Sequence, residues 1–281
     1  MESFLSAWQQ LPSQISPTLF SIGSFQLRYY SLMYLVAFAV VYLLFAYRIK
    51  HKEITLTTET LQDYLVWAMV GLIVGARFGY ALFYNFSYYS SHLLEIILPF
   101  DFSNGFRFVG LSGMSYHGGL IGVVLVTLYF CHKRNINWWQ FGDWICAAAP
   151  LGYMFGRFGN FINGELWGRV TTVPWGMYFP LDATQSLRHP SQLYEALFEG
   201  LFLFCILWLM RRRNPFDGFM IGLYLFGYGL VRFLIEFFRE PDAHLGFVLG
   251  FNTMGQVLCV FMMLAGIALI LWRKEASIRQ K

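Results

Sequence analysis

Charge is what this sequence has least of. Only 13% of its 281 residues are charged, against roughly a quarter in a soluble globular chain, while 57% are hydrophobic and the mean hydropathy is +0.50. A water-soluble fold is excluded, and the bilayer becomes the expected solvent. Cysteine is scarce as well: Cys131, Cys146, Cys205 and Cys259 lie in or beside apolar runs without CxxC or Cys/His spacing. Neither a disulfide framework nor a zinc site is expected, and the four read as buried small hydrophobes. HExxH, paired intramembrane aspartates and a Walker-type GxxxxGK[ST] loop are also missing, which argues against metalloprotease, aspartyl protease and nucleotide-driven pump. The net charge of +4 is dispersed in short clusters with no basic stripe, so nucleic acid is not an expected partner. The segment MESFLSAWQQLPSQISP has no basic n-region and no A-x-A-like cleavage site, so the first span is expected to act as the insertion signal.

What fills the chain instead is apolar runs of about 20 residues, the length a spanning helix needs. Seven candidates stand out, near residues 28–47, 64–84, 114–131, 141–161, 192–210, 217–237 and 253–272. With the N-terminus outside, the inner segments collect Arg48, Lys50, Lys52, Lys133, Arg134, Arg211, Arg212, Arg213, Arg273, Lys274, Arg279 and Lys281, twelve of the twenty basic residues. The positive-inside rule favours that orientation and places the C-terminus inside. The outer segments 85–113 and 162–191 are rich in aromatics (Tyr88, Tyr89, Phe100, Phe102, Phe106 and Phe108; Trp167, Trp175, Tyr178 and Phe179), which suits a membrane–water interface. The expected fold is therefore an all-α membrane protein, a bundle of about seven transmembrane helices with small outer arm and head segments, forming one domain over residues 1–281. In the second span Gly71, Gly75 and Gly79 recur every four residues, a ladder read as helix packing.

Three spans contain an arginine: Arg77, Arg157 and Arg232. At the bilayer centre such a residue costs on the order of 3 kcal/mol, so it faces the bundle interior and marks a functional site. Three guanidinium groups in one bundle call for something anionic between them. Tyr228, Arg232 and Glu236 recur at spacings of four and share a helix face, which allows an internal Arg232–Glu236 pair; Arg157 and Arg77 have no evident local partner. Asn160 follows Arg157 by three, and a glycine-broken turn follows, as expected where backbone lines a cavity. His117 sits beside Gly118 and Gly119, and histidine is the side chain suited to proton exchange near neutral pH. Ser115 is not a hydrolase serine, because Gly113-Met114-Ser115-Tyr116-His117 lacks the final glycine of a nucleophile elbow.

Four blocks in this order, GMSYHGGLIG (113–122), GRFGNFINGELWGR (156–169), RHPSQLYEALFEG (188–200) and GYGLVRFLIEFFREPD (227–242), resemble the bacterial prolipoprotein diacylglyceryl transferases, with similarity over roughly residues 20–272. The resemblance implies a multi-pass enzyme of the bacterial inner membrane. It would move the diacylglyceryl group of phosphatidylglycerol onto the lipobox cysteine of a prolipoprotein signal peptide, with neither metal nor soluble cofactor. It implies Arg157 and Arg232 as the essential arginine pair and His117 as the motif histidine. Asn160 and Glu165 match its polar signature residues, Tyr30 and Tyr228 its tyrosines, and Arg239 a further arginine. Glu236 is the expected orienting partner of the arginines and Arg77 a second-tier contributor to lipid binding. One departure is Arg28, where the family often has histidine two residues before the tyrosine. The rival expectation is a transporter or channel for an anionic lipid or solute, since intramembrane arginines also line anion pores. The absence of internal repeats or inverted broken helices argues against it.

Overall fold

The fold comes from a computed structural model that describes residues 2–22, 25–98, 100–101, 107–108, 113–241, 247–248 and 252–279. In chain order the elements are α1 (Glu2–Gln9), α2 (Leu11–Gln14), β1 (Thr18–Ile22), β2 (Phe25–Arg28), α3 (Tyr29–Lys50), α4 (Thr58–Phe83), α5 (Phe86–Tyr89), α6 (Leu94–Ile97), β3 (Phe100–Asp101), β4 (Arg107–Phe108), α7 (Tyr116–Lys133), α8 (Trp138–Cys146), α9 (Ala149–Asn163), α10 (Ser191–Glu195), a π-helical stretch (Ala196–Phe202), α11 (Leu203–Met210), α12 (Phe219–Ile235), β5 (Phe247–Val248), β6 (Asn252–Thr253) and α13 (Met254–Arg279). Phe102 and Phe106 of the outer aromatic set lie outside the described residues.

The protein is a mostly helical membrane protein. Four helices are long and apolar enough to cross a membrane: Tyr29–Lys50, Thr58–Phe83, the continuous Ser191–Met210 and Met254–Arg279. Their outward faces are apolar: Leu35, Leu43, Val70, Phe261 and Leu264 are exposed, whereas Arg157 and Glu195 are not, the reverse of a soluble protein. The other expected spans are also helical, but shorter: α7 has 18 residues and α12 has 17.

Two expectations need correction. The stretch 141–161 is not one helix but two, α8 and α9, interrupted at Ala147 and Ala148. Pro150 is the reason: it lacks an N–H, and its ring would strike the carbonyl four residues back, so it is tolerated only in the first turn of a new helix. The fold is also not purely helical. Residues 18–28 form an antiparallel hairpin pairing Phe20 with Leu27 and Ile22 with Phe25, and β3–β4 and β5–β6 are further two-stranded pairs.

The chain packs as two compact units, residues 1–54 with 142–281, and residues 55–141. In the smaller unit α4 and α7 cross glycine to glycine. A Cβ on Gly75 would stand 2.4 Å from the Gly118 carbonyl oxygen, and one on Gly79 would stand 2.6 Å from the Gly118 Cα, so the ladder is a packing surface. Ser115 caps α7 by accepting from the Gly118 N–H at 3.1 Å, which is its structural duty.

In the larger unit α3 lies along α9, with Gly152 against Val41 and Gly159 against Tyr30, and α12 lies along α13, with Gly266 against Gly222 and Phe226. Asp143 of α8 caps α12 from outside the helix, its Oδ2 accepting the Gly218 N–H at 2.8 Å and its Oδ1 the Ile221 N–H at 3.0 Å. The segment between α9 and α10 is closed by Arg188, which grips Asp182 with Nε at 2.7 Å and Nη2 at 3.1 Å. The N-terminal helices lie on this segment: Trp8, Leu11 and Ile15 pack on Phe161, Met177 and Phe179, and Trp8 Nε1 donates to the Trp175 carbonyl at 3.0 Å.

A buried arginine–carboxylate centre

The larger unit draws arginines from α9, from α12 and from the segment just after α12 onto one buried carboxylate. Glu195, at the end of α10, has no accessible side-chain surface, and three arginines converge on it. Arg157 of α9 brings Nε to 2.7 Å from Oε2, while Arg232 of α12 and Arg239 donate from Nη1 to Oε1 at 3.1 and 2.7 Å. Glu236, one turn past Arg232, stands 3.1 Å from the Arg232 Nη2 and 3.4 Å from the Arg239 Nε, and accepts from Thr253 Oγ1 at 3.0 Å. Glu199, fully buried in the π stretch, lies 3.6 Å from the Arg232 Nη1 and accepts a short hydrogen bond from the Tyr153 hydroxyl. Three arginines thus face three carboxylates.

Local structure explains how these groups meet. The π turn begins immediately after Glu195 and Gly200 lets α9 approach, since a Cβ there would sit 2.6 Å from Met154 Cβ. Both Glu195 and Glu199 therefore reach the same Arg232 nitrogen. On α9, Arg157 donates from Nε to the Tyr153 hydroxyl at 2.6 Å and from Nη1 to Asn160 Oδ1 at 3.2 Å; Asn160 in turn donates to Glu165 Oε1 at 2.8 Å. The turn carrying Glu165 is fixed by Gly164 at φ +67°, where glycine is at ease, and by Leu166 at φ +61°, where a side chain costs about 1–2 kcal/mol. Ser191 and Gln192 of α10 hold that turn by donating to the carbonyls of Leu166 and Glu165 at 3.0 and 2.6 Å.

Of the residues singled out in the sequence, Arg157, Asn160, Glu165, Arg232, Glu236 and Arg239 are joined in this one network. Tyr228 borders it, its ring edge-on to Tyr153 at 5.9 Å. Tyr30 lies at the start of α3 against Gly159, its hydroxyl 3.0 Å from that of Tyr34. Arg77 and His117 belong to the smaller unit. Arg77 is buried there on backbone, its Nε donating to the Ile96 carbonyl at 2.9 Å, with its guanidinium 5.0 Å from the Tyr89 ring centre. His117 is exposed on the first turn of α7.

Sequence reasoning missed Glu195 and Glu199. It left Arg157 without a partner and made Glu236 the orienting carboxylate, whereas the carboxylate at Arg157 is Glu195. The missed signal was two glutamates four residues apart inside a 20-residue apolar run.

Buried arginines held by carboxylates among apolar helices define a helical membrane protein with a charged centre in its interior. The family of this protein follows from comparison with known sequences. The model of the prolipoprotein diacylglyceryl transferase family matches residues 17–272, and the chain belongs to that family of transferases. It is similar to the phosphatidylglycerol–prolipoprotein diacylglyceryl transferase of Chlorobaculum tepidum, at 51% identity over 278 residues covering 99% of this chain and 96% of the relative. The enzymes of that name from Bordetella avium (45% identity; 95% and 98% covered) and Treponema denticola (39%; 97% and 97%) are also similar.

Proposed function

We propose that the protein transfers the diacylglyceryl group of phosphatidylglycerol to the lipobox cysteine of prolipoproteins, the first step of bacterial lipoprotein maturation. A carbon–sulfur bond forms as the glyceryl carbon–oxygen bond to phosphate breaks, glycerol phosphate leaves, and the thiol proton passes to a base. The observation that carries the reading is the disposition of Arg157 and Arg232. Both guanidinium groups meet at Glu195 yet keep 16% and 15% of their side-chain surface accessible, and the Arg157 Nη2 makes no hydrogen bond among the described residues. They bind the phosphate by charge-assisted, bidentate hydrogen bonds and stabilise the charge that builds on the departing oxygen. Asn160, Glu165, Glu236 and Arg239 hold the two forks in place, and Tyr30 and Tyr228 line the lipid site.

The nucleophile is the peptide's thiolate, so the thiol must lose its proton. His117 is assigned as that base on its motif. The whole chain acts as a single membrane domain of seven spans in the bacterial inner membrane, with a periplasmic N-terminus, a cytoplasmic C-terminus and periplasmic segments at 85–113 and 162–191, as the distribution of Lys and Arg supports.

The test is to incubate the purified protein with phosphatidylglycerol and a lipobox peptide and weigh the peptide. The added mass of one diacylglyceryl group is expected from the wild type and none from Arg157→Lys, because a lysine's point charge cannot reproduce the fork. A folded wild type that leaves the mass unchanged contradicts transfer and favours transport; substantial transfer by Arg157→Lys contradicts the clamp.

A further inference from the structure

The charge count of the centre has a consequence for how an anion enters it. Arg157, Arg232 and Arg239 are matched by Glu195, Glu199 and Glu236, and the bordering Arg169 and Glu165 add one charge of each sign. A phosphodiester bound there brings an uncompensated negative charge into a buried, neutral cluster, so one carboxylate must give up its charge. The three carboxylates are not equivalent. Glu195 is contacted by three arginines, and Glu236 by two arginines and the Thr253 hydroxyl. Among the described residues, each of the three has one buried oxygen without a hydrogen bond, but Glu199 has only one arginine within 4 Å, at 3.6 Å. The charged and titratable groups around Glu199 are Tyr153 and Arg157 from α9, Arg232 and Tyr228 from α12, Glu195 from its own helix and Cys259 from α13. It is the carboxylate the arginines hold least.

We propose that Glu199 takes up one proton from solvent when the phosphate of an anionic lipid occupies Arg157 and Arg232, with the Tyr153 hydroxyl hydrogen-bonded to it as the group that tunes this uptake. This rests on the phosphate-clamp reading above and assigns the site a coupled proton that the clamp alone does not require. Protonation makes Glu199 Oε1 or Oε2 a donor and restores neutrality, so lipid and proton bind cooperatively and affinity falls with rising pH.

The experiment titrates the full-length protein in detergent micelles with short-chain phosphatidylglycerol by calorimetry, in buffers of different ionisation enthalpy, across the pH range in which the protein stays folded. The wild type is expected to take up about one proton per lipid within that range, with affinity weakening toward tenfold per pH unit there. Glu199→Gln is expected to bind without proton uptake and without that pH dependence. Tyr153→Phe removes a hydrogen bond from the anion, so its uptake window is expected to move to higher pH. Wild-type binding with no proton taken up at any pH, uptake that persists in Glu199→Gln, or a window unmoved in Tyr153→Phe overturns the proposal while leaving the clamp standing. Lipid binding unchanged in Arg157→Lys, or no binding by the wild type, overturns the clamp itself.

Discussion

Replacing Glu195 by glutamine keeps shape and volume but removes the one carboxylate on which three arginines meet. Removing one partner of a buried ion pair costs about 3–5 kcal/mol, because the other charge stays buried and uncompensated. The neighbours decide how many such penalties apply. Arg232 keeps Glu236 at 3.1 Å and Glu199 at 3.6 Å, and Arg239 keeps Glu236 at 3.4 Å. Arg157 has no other carboxylate within 4 Å among the described residues. One arginine is orphaned rather than three, so Glu195→Gln is expected to destabilise the protein by about 3–5 kcal/mol, not by a multiple of it. Chemical unfolding in detergent micelles measures this, and transfer to a lipobox peptide should fall with it as Arg157 loses its anchor. A loss below about 1 kcal/mol, the range of an exposed pair, would refute the claim that Glu195 organises the centre.

Other perturbations probe the rest of the structure. Gly75→Leu places side-chain atoms where a Cβ already lies 2.4 Å from the Gly118 carbonyl oxygen, and should destabilise the α4–α7 pair by about 1–3 kcal/mol, read by unfolding in micelles. The Arg188 hydrogen bonds hold Asp182 below the usual aspartate value of about 3.9, at about 2. A folded-state value depressed in this way stabilises the segment fully above about pH 4 and stops doing so as the pH falls toward 2, so hydrogen exchange of residues 168–190 should accelerate across that window and not above it. His117→Ala should slow transfer strongly at pH 7, and a near-wild-type rate would remove it as the base.

Much of this was legible in the sequence because hydropathy reports directly on the solvent. Six of the seven apolar stretches correspond to one helical run each, and Gly71, Gly75 and Gly79 face Gly118 and Gly122 as a small-residue ladder should. The break at Ala147 was written in Pro150 but masked by the apolar run around it. The hairpin Thr18–Arg28 escaped because its alternation is short and borders a long helical stretch. At the centre, intramembrane arginines are conspicuous and were found. Their partner Glu195 follows Arg157 by 38 positions, a distance at which spacing carries no information, and only the packing of α9, α10 and α12 assigns the pair. Local spacing did identify Arg232 with Glu236, four residues apart on one helix face.

The most direct test of the central claim is an experimental structure of the protein with phosphatidylglycerol bound. The account predicts density for the phosphate with its oxygens about 2.7–2.9 Å from guanidinium nitrogens of both Arg157 and Arg232, and with Glu195 still holding the pair from the opposite side. A phosphate bound away from both arginines, with the lipid nonetheless positioned for reaction, would contradict it.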